Sequence, residues 1–225
     1  MTDSEKWPKI FPELSKEKKW ISDDFVHYWH TVLPKSYTFI EHFNNNYVIK
    51  NTPCTFTKTL EIGAGLGEHL FYEKLSTNQR KNYVALELRE NMAEKIRNNH
   101  PDIQVLIGDC QEMIAARDHE FDRIIAIHVL EHLPNLPEAI KEIYRVCHKR
   151  NGFFSVVIPC ERGLVYSLAR KISAQRLFEK KYKQPYKWFI EREHVNVPKE
   201  ILEEITPYFK LEAQEFFPFK FLPFI

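Results

Sequence analysis

The stretch Thr59-Leu-Glu-Ile-Gly-Ala-Gly-Leu-Gly-Glu68 decides how the rest of the chain is read. A short apolar run ends there, and glycines follow at alternate positions, Gly63, Gly65 and Gly67. Lacking a Cβ, glycine reaches φ > 0 at little steric cost, so such a loop lets a ligand lie directly on backbone. A strand running into this turn and then into a helix is how open α/β folds hold nucleotide-like cofactors. Three glycines alone do not separate one cofactor from another, so the surrounding pattern has to.

Working outward, apolar runs recur at 59–62, 83–88, 103–107, 121–127 and 153–158. Each is nearly continuous in Ile, Val, Leu or Phe, which suits parallel strands buried on both faces. Helix-length segments lie between them at 66–75, 90–98, 111–116 and 137–147. The last places Leu136, Ile140, Ile143 and Cys147 at helical spacing, with Pro137 acceptable in a first turn. Strand-helix alternation of this kind predicts a doubly wound parallel sheet. A further helix is expected over 199–205 and a strand over 209–214.

Ahead of this region, residues 1–22 read as a polar lead-in with Pro8 and Pro12. Asp23 and Asp24 can cap a helix with Phe25, Trp29, Val32 and Leu33 on one face, stopped at Pro34. Ser36 can cap a second, carrying Phe39, Ile40, Phe43 and Tyr47, with Asn44-Asn45-Asn46 as its fraying end or a turn. Residues 160–193 break the strand-helix rhythm, being long, basic and aromatic, as lids and binding loops are. The expected division is a lead-in and helical cap over 1–49, then one α/β domain over 50–225 with a lid at about 160–198.

Composition narrows the function. With 32 basic and 31 acidic residues the net charge is +1, which gives no electrostatic reason to expect a nucleic-acid partner. No apolar run is long enough to span a membrane, and the first residues lack the pattern of a secretion signal. Cys54, Cys110, Cys147 and Cys160 stand far apart, which argues against a disulfide framework or a structural zinc site and for a reducing, cytoplasmic setting.

Polar residues gather at the strand ends. Glu87 closes the second run, where an acid accepts from ribose hydroxyls in dinucleotide folds. The third run leads to Gly108-Asp109-Cys110, and the fourth to Ala126-Ile-His128-Val-Leu-Glu131-His132. These ends share the carboxyl edge of the expected sheet, where open α/β folds bind ligands.

On these pieces, over roughly residues 57–160, the chain resembles the class I S-adenosylmethionine-dependent methyltransferases, of the small-molecule type. The resemblance implies an α/β fold: a doubly wound, mostly parallel seven-stranded sheet, Rossmann-like, with the helical cap and inserted lid as additions. It implies S-adenosylmethionine as cofactor and S-adenosylhomocysteine as product. By it, the Gly63, Ala64, Gly65 and Gly67 backbone lies against the methionine part of the cofactor, with Glu87 on the ribose hydroxyls, Leu88 among the cofactor-binding residues, Asp109 on the adenine amine, Cys110 beside the adenine ring and His128 beside the sulfonium. Glu61 is expected to contact the cofactor as well, at the same edge.

The NAD-dependent oxidoreductases are the main rival. Their G-x-G-x-x-G/A pattern needs a small residue at position 68, where a pyrophosphate meets a helix N-terminus, and Glu68 has the wrong size and sign. A non-catalytic binding or scaffold module is a second alternative, against which the intact glycines and carboxylates count. His128-x-x-Glu131-His132 also resembles, with one substitution, a metal-binding Glu-x-x-Glu-His arrangement of the ubiquinone-pathway O-methyltransferases. With His128 in place of the first acid and no fourth ligand at hand, no metal is expected.

Methyl transfer needs alignment and exclusion of water, and a base only where the acceptor must lose a proton. His128 and His194 are the candidates for that base, since histidine titrates near neutral pH. The [DN]-P-P-[YF] pattern of many nucleic-acid amino-methyltransferases is missing at 128–131. A small-molecule, lipid-linked or glycan acceptor is therefore expected, with the aromatic C-terminus open to a peripheral membrane contact.

Overall fold

The computed structural model describes residues 6–31, 34–53, 55–159 and 174–216, with the side chains of His27, 29–31 and 34–40 outside the description. Five strands form one all-parallel sheet: β1 (Thr59–Ile62), β2 (Tyr83–Glu87), β3 (Gln104–Ile107), β4 (Arg123–Ile127) and β5 (Phe153–Val157). Their order is β3-β2-β1-β4-β5, so the chain reverses direction beside β1. That reversal opens the crevice in which doubly wound sheets bind ligands.

The strand alternation of period two sends residues to opposite faces. On one face Leu60, Ile62, Val84, Leu86, Ile124 and Ala126 meet Leu136, Ala139, Ile140 and Ile143 of α5 (Leu136–Val146). Burying one such aliphatic side chain contributes roughly 1.5–3 kcal/mol, so this layer supplies a large share of the stability. On the other face Tyr83 and Ala85 pack with Ile96 of α4 (Glu90–Asn99), while Thr59, Glu61 and Arg123 bury polar groups.

The N-terminal region is more helical than expected. Helix α1 (Lys16–Thr31) starts seven residues before Asp23, and Asp24 is consumed mid-helix by Lys181 and Tyr182, at 2.6 and 2.5 Å. Helix α2 (Pro34–Lys50) takes Pro34 as its first residue, leaving Ser36 inside the first turn. It runs unbroken through Asn44-Asn45-Asn46, whose side chains have outside partners or bond back to carbonyls four residues earlier. Of the two expected apolar faces, Phe25, Phe43 and Tyr47 are described, and Trp29, Val32, Leu33, Phe39 and Ile40 lie outside the described side chains.

Three further expectations are corrected. The segment 66–75 forms a 3-10 turn (Glu68–Phe71) and then a loop before α3 (Thr77–Lys81), because His69 and Glu73 are drawn into a buried polar network. Residues 111–116 form turns without a helix. Residues 209–214 form no strand, so the sheet has five strands among the described residues and not seven. The segment is held by side chains: Tyr47 Oη donates to Ala213 O at 3.1 Å, and Phe209 packs on Phe154.

The described part of the expected lid consists of α6 (Ala174–Tyr182) and α7 (Tyr186–Glu193); residues 160–173 lie outside it, as do Cys54, Cys160 and 217–225. These helices share a core with α1, in which Phe25 meets Phe178 and Phe189 edge-on at 5.0 and 5.2 Å. Cap and lid are thus one packed layer. Helix α8 (Pro198–Ile205) follows, covering α5 through Ile201 and Ile205. No described helix is long and apolar enough to cross a membrane.

Candidate functional site

The ends of β1, β2 and β4 and the turn after β3 open onto a cleft of about 1510 Å³, closed on one side by α2 and the 190–194 segment. It exceeds the space one small ligand fills, and it extends past the strand ends along the exposed side of β5 towards Tyr144 and Lys149.

The glycine loop forms its floor. Gly63 and Gly65 have φ of +62° and +58°, in the left-handed region that favours glycine. A Cβ on Gly63 would stand 2.5 Å from Val129 Cγ2, so the loop lies directly against the turn after β4. Ala64 is buried behind it, its amide donating to Leu86 O at 3.1 Å.

The loop amides meet carboxylates. Gly65 N donates to Glu87 Oε2 at 2.9 Å, and Arg89 N donates to Glu87 Oε1, also at 2.9 Å. Leu66 N donates to Glu68 Oε2 at 2.7 Å, so Glu68 folds onto the loop itself. Glu87 lines the cleft although its side chain is buried, and Leu88 beyond it projects outward, 61% exposed. Asp109 also lines the cleft, its oxygens accepting from Gln111 N and Nε2 at 2.9–3.1 Å. Cys110 is buried at the same place, where burial first and Asp109's charge second push the thiol pKa up to about 12. It is therefore a neutral, apolar wall and not a nucleophile.

Glu61 takes a different position from the others. It lines the cleft from beneath, and its Oε2 accepts from Tyr83 Oη at 2.8 Å. Burial raises its pKa to about 7. In the unfolded chain it ionises near 4.5, so between about pH 5 and 7 the unfolded state gives up a proton that the folded state keeps. Stability must then fall as pH rises through that window, by about 3 kcal/mol in all. Glu61→Gln is expected to flatten this slope, read from melting midpoints at pH 5 and pH 8; an unchanged slope would refute the assignment.

Beside Glu61 lies a network that sequence patterning did not reveal. Arg123, fully buried, pairs with Glu73 and stacks over Phe56, 4.4 Å from its ring centre. His69 meets Glu73 Oε1 at 2.8 Å through one ring nitrogen and Asn45 Oδ1 at 2.7 Å through the other. Burial raises Glu73, but His69 and Arg123 outweigh it and hold the carboxyl below its ordinary value. The network ties α2 to the sheet under the glycine loop.

His128 follows β4 with φ of +54°, an uncommon backbone for a residue with a Cβ, and such conformations persist where surroundings enforce them. Its amide donates to Val157 O at 3.0 Å. Asn44 Nδ2 donates to His128 Nε2 at 2.7 Å, which leaves the ring proton on Nδ1, 3.4 Å from Glu131 Oε1. Glu131 is 1% exposed. Burial raises its pKa, but the His128 contact and the neighbouring His132, His128 and His194 prevail and lower it.

His194 follows α7, and its ring packs edge-on to His132 at 4.9 Å. The fold therefore brings both candidate bases to the same carboxylate, Glu131. Reading α2 as an apolar helix hid Glu41, Asn44 and Asn45, which line the cleft. Their helical spacing marks a polar stripe on α2 that the sequence carries at 41, 44 and 45.

Comparison with known proteins agrees with this fold. Residues 60–156 match a family model described as a methyltransferase domain. Among solved structures, an S-adenosylmethionine-dependent methyltransferase of Thermotoga maritima, described as a possible histamine N-methyltransferase, is similar with a TM-score of 0.64 at 20% identity, covering 86% of this chain and 81% of its own. A protein of Pyrococcus horikoshii superimposes at 0.59 and 19% identity, covering 84% and 92% of the two chains. A putative S-adenosylmethionine-dependent methyltransferase of Methanococcus maripaludis gives 0.52 at 18%, covering 88% and 86%. At these identities the likeness is one of fold. No curated protein matches the chain.

Proposed function

We propose that residues 60–156, which match a family model described as a methyltransferase domain, act with S-adenosylmethionine, and that the protein transfers a methyl group to a small-molecule, lipid-linked or glycan acceptor. One observation carries the reading: Glu87, at the tip of β2, is hydrogen-bonded to the glycine-loop amide of Gly65 at 2.9 Å. A carboxylate accepts at about four lone-pair positions, so its two amide bonds leave capacity for a pair of ribose hydroxyls. Gly63, Ala64 and Gly65 line the cleft with nothing larger than a methyl group, which fits backbone contact with the methionine part. Asp109 suits an exocyclic amine, Gln111 turning aside to admit it.

Bound there, S-adenosylmethionine supplies an electrophilic methyl group on a sulfonium, with a neutral thioether as leaving group. The chain's own work is to orient and to dry the site. Helix α2 covers the strand ends with Glu41 and Asn44, and α7 with Ile190 closes the far side. His128 presents a lone pair at Nε2, occupied by Asn44, while its Nδ1 stands 3.4 Å from the Glu131 carboxylate. An acceptor hydroxyl taking the place of Asn44 can pass its proton to that nitrogen. His128→Gln is expected to lower the methylation rate by roughly 10²-fold for a hydroxyl acceptor while leaving cofactor affinity within a factor of a few.

Against a dinucleotide, Glu68 occupies the Leu66 amide at 2.7 Å, a donor that a pyrophosphate would need. Calorimetric titration tests the choice. Micromolar binding of S-adenosylmethionine and S-adenosylhomocysteine, weakened by Asp109→Ala, with none for NAD, supports the reading; binding of neither methyl-donor ligand would sink it. A screen of acceptor pools with tritiated S-adenosylmethionine identifies the acceptor class.

A further inference from the structure

We propose that Glu131, His132 and His194 form a binding site for one divalent first-row transition-metal cation, with zinc as its probe. The inference is independent of the methyl-transfer reading, because it concerns a different set of atoms and is tested without cofactor.

The starting point is Glu131. Its side chain is 1% exposed, and neither carboxylate oxygen has a hydrogen-bond partner among the described residues. The His128 Nδ1 contact at 3.4 Å does not complete a hydrogen bond. A buried ionised carboxylate without donors is costly unless a cation compensates it.

His132 sharpens the point. Its Nδ1 lies 2.6 Å from Glu193 O, a carbonyl that can only accept, so Nδ1 carries the proton. In the neutral ring Nε2 is then a lone pair, and it stands 3.9 Å from Glu131 Oε1. Two acceptors facing each other at that distance repel unless a positive centre lies between them. A backbone carbonyl that fixes the tautomer of a ligating histidine is the usual support behind a metal.

The third ligand comes from far along the chain. One ligand atom each from Glu131, His132 and His194 lies within 4.8 Å of the other two. Bonds of about 2.0–2.2 Å place the ligands of a tetrahedral ion about 3–4 Å apart, so a closure of about 1 Å completes the set. The backbone already holds these segments together. Asn196 N donates to Glu131 O at 3.0 Å, and Asn196 Nδ2 donates to Leu130 O and Leu133 O, both at 2.7 Å. Lys9 Nζ donates to Val195 O at 2.7 Å, pinning the residue next to His194.

The donor set selects the ion. Two imidazoles and one carboxylate suit zinc and its transition-metal neighbours over magnesium or calcium, which take oxygen ligands. Three protein ligands leave one position open, and all three line the cleft.

The test uses full-length protein, stripped with a chelator and re-equilibrated with zinc or cobalt(II). One equivalent of zinc by elemental analysis, with cobalt(II) giving the visible absorption of a low-symmetry nitrogen-oxygen site, is expected. His194→Ala and His132→Ala should each weaken zinc binding by at least about ten-fold, while exposed His42→Ala leaves it unchanged. Glu131→Gln should abolish it; should that buried variant fail to fold, the two histidine variants decide, with circular dichroism confirming their fold. Sub-stoichiometric zinc in the wild type, or zinc held equally well by both histidine variants, overturns the proposal.

Discussion

Replacing Gly63 with alanine is expected to cut S-adenosylmethionine affinity at least ten-fold and to lower the melting midpoint by several degrees. Two costs combine. A residue with a Cβ at φ of +62° gives up roughly 1–2 kcal/mol relative to glycine. The new methyl would also stand 2.5 Å from Val129 Cγ2, which must move. Val129 follows His128 directly, so the displacement reaches the strand end that supplies the candidate base. In a chain of this size each kcal/mol shifts the midpoint by roughly 2–4 °C. The double variant Gly63→Ala/Val129→Ala separates the two costs, since it relieves the clash and keeps the backbone strain. Partial recovery of binding is the expected result; full retention of affinity in Gly63→Ala alone would show that the loop does not need its glycine.

Arg123→Ala carries the largest expected loss of stability, about 3–5 kcal/mol, the usual cost of stripping one partner from a buried ion pair. Arg123 is fully buried, and its partner Glu73 is nearly so, with side-chain exposures of 0% and 4%. Removing the guanidinium leaves Glu73 with His69 alone and takes away the group stacked on Phe56. Two guanidinium nitrogens, Nε and Nη1, have no hydrogen-bond partner among the described residues, so the pair does not reach its full potential even when intact. Arg123→Met with Glu73→Gln should then recover most of the loss, because a neutral pair of similar volume carries less desolvation. Urea unfolding measures both; a loss below about 1 kcal/mol for Arg123→Ala would mean that water already reaches the site.

How much of this was legible beforehand differs from element to element. The five sheet strands were readable because each is a compact apolar run, and burial on both faces leaves such a run few alternatives. The loop at 63–67 was readable because alternating glycines have little use outside a tight turn. Residues 66–75 misled because local helix propensity there is overruled by the burial of His69 and Glu73 around Arg123, fifty or more residues later. The Asn44-Asn45-Asn46 run misled in the opposite sense. Asparagine favours turns because its side chain competes for backbone partners. Here Asn44 and Asn45 find His128 and His69 instead, and the helix continues.

The sequence by itself determined the parallel sheet, the glycine loop and the order in which Glu87, Asp109 and His128 reach one edge. Those features depend on periodicity and on residues close together along the chain. Only the tertiary structure decided what closes the cleft and what surrounds Glu131. His194 stands sixty-three residues after Glu131, and it arrives there because Asn196 bonds the turn at 130–133. Asn44 arrives because α2 packs across β4 and β5. Such contacts are made by chain folding over distances that no local pattern encodes. The strand edge can therefore be read from the string, while the groups that face it across the cleft cannot.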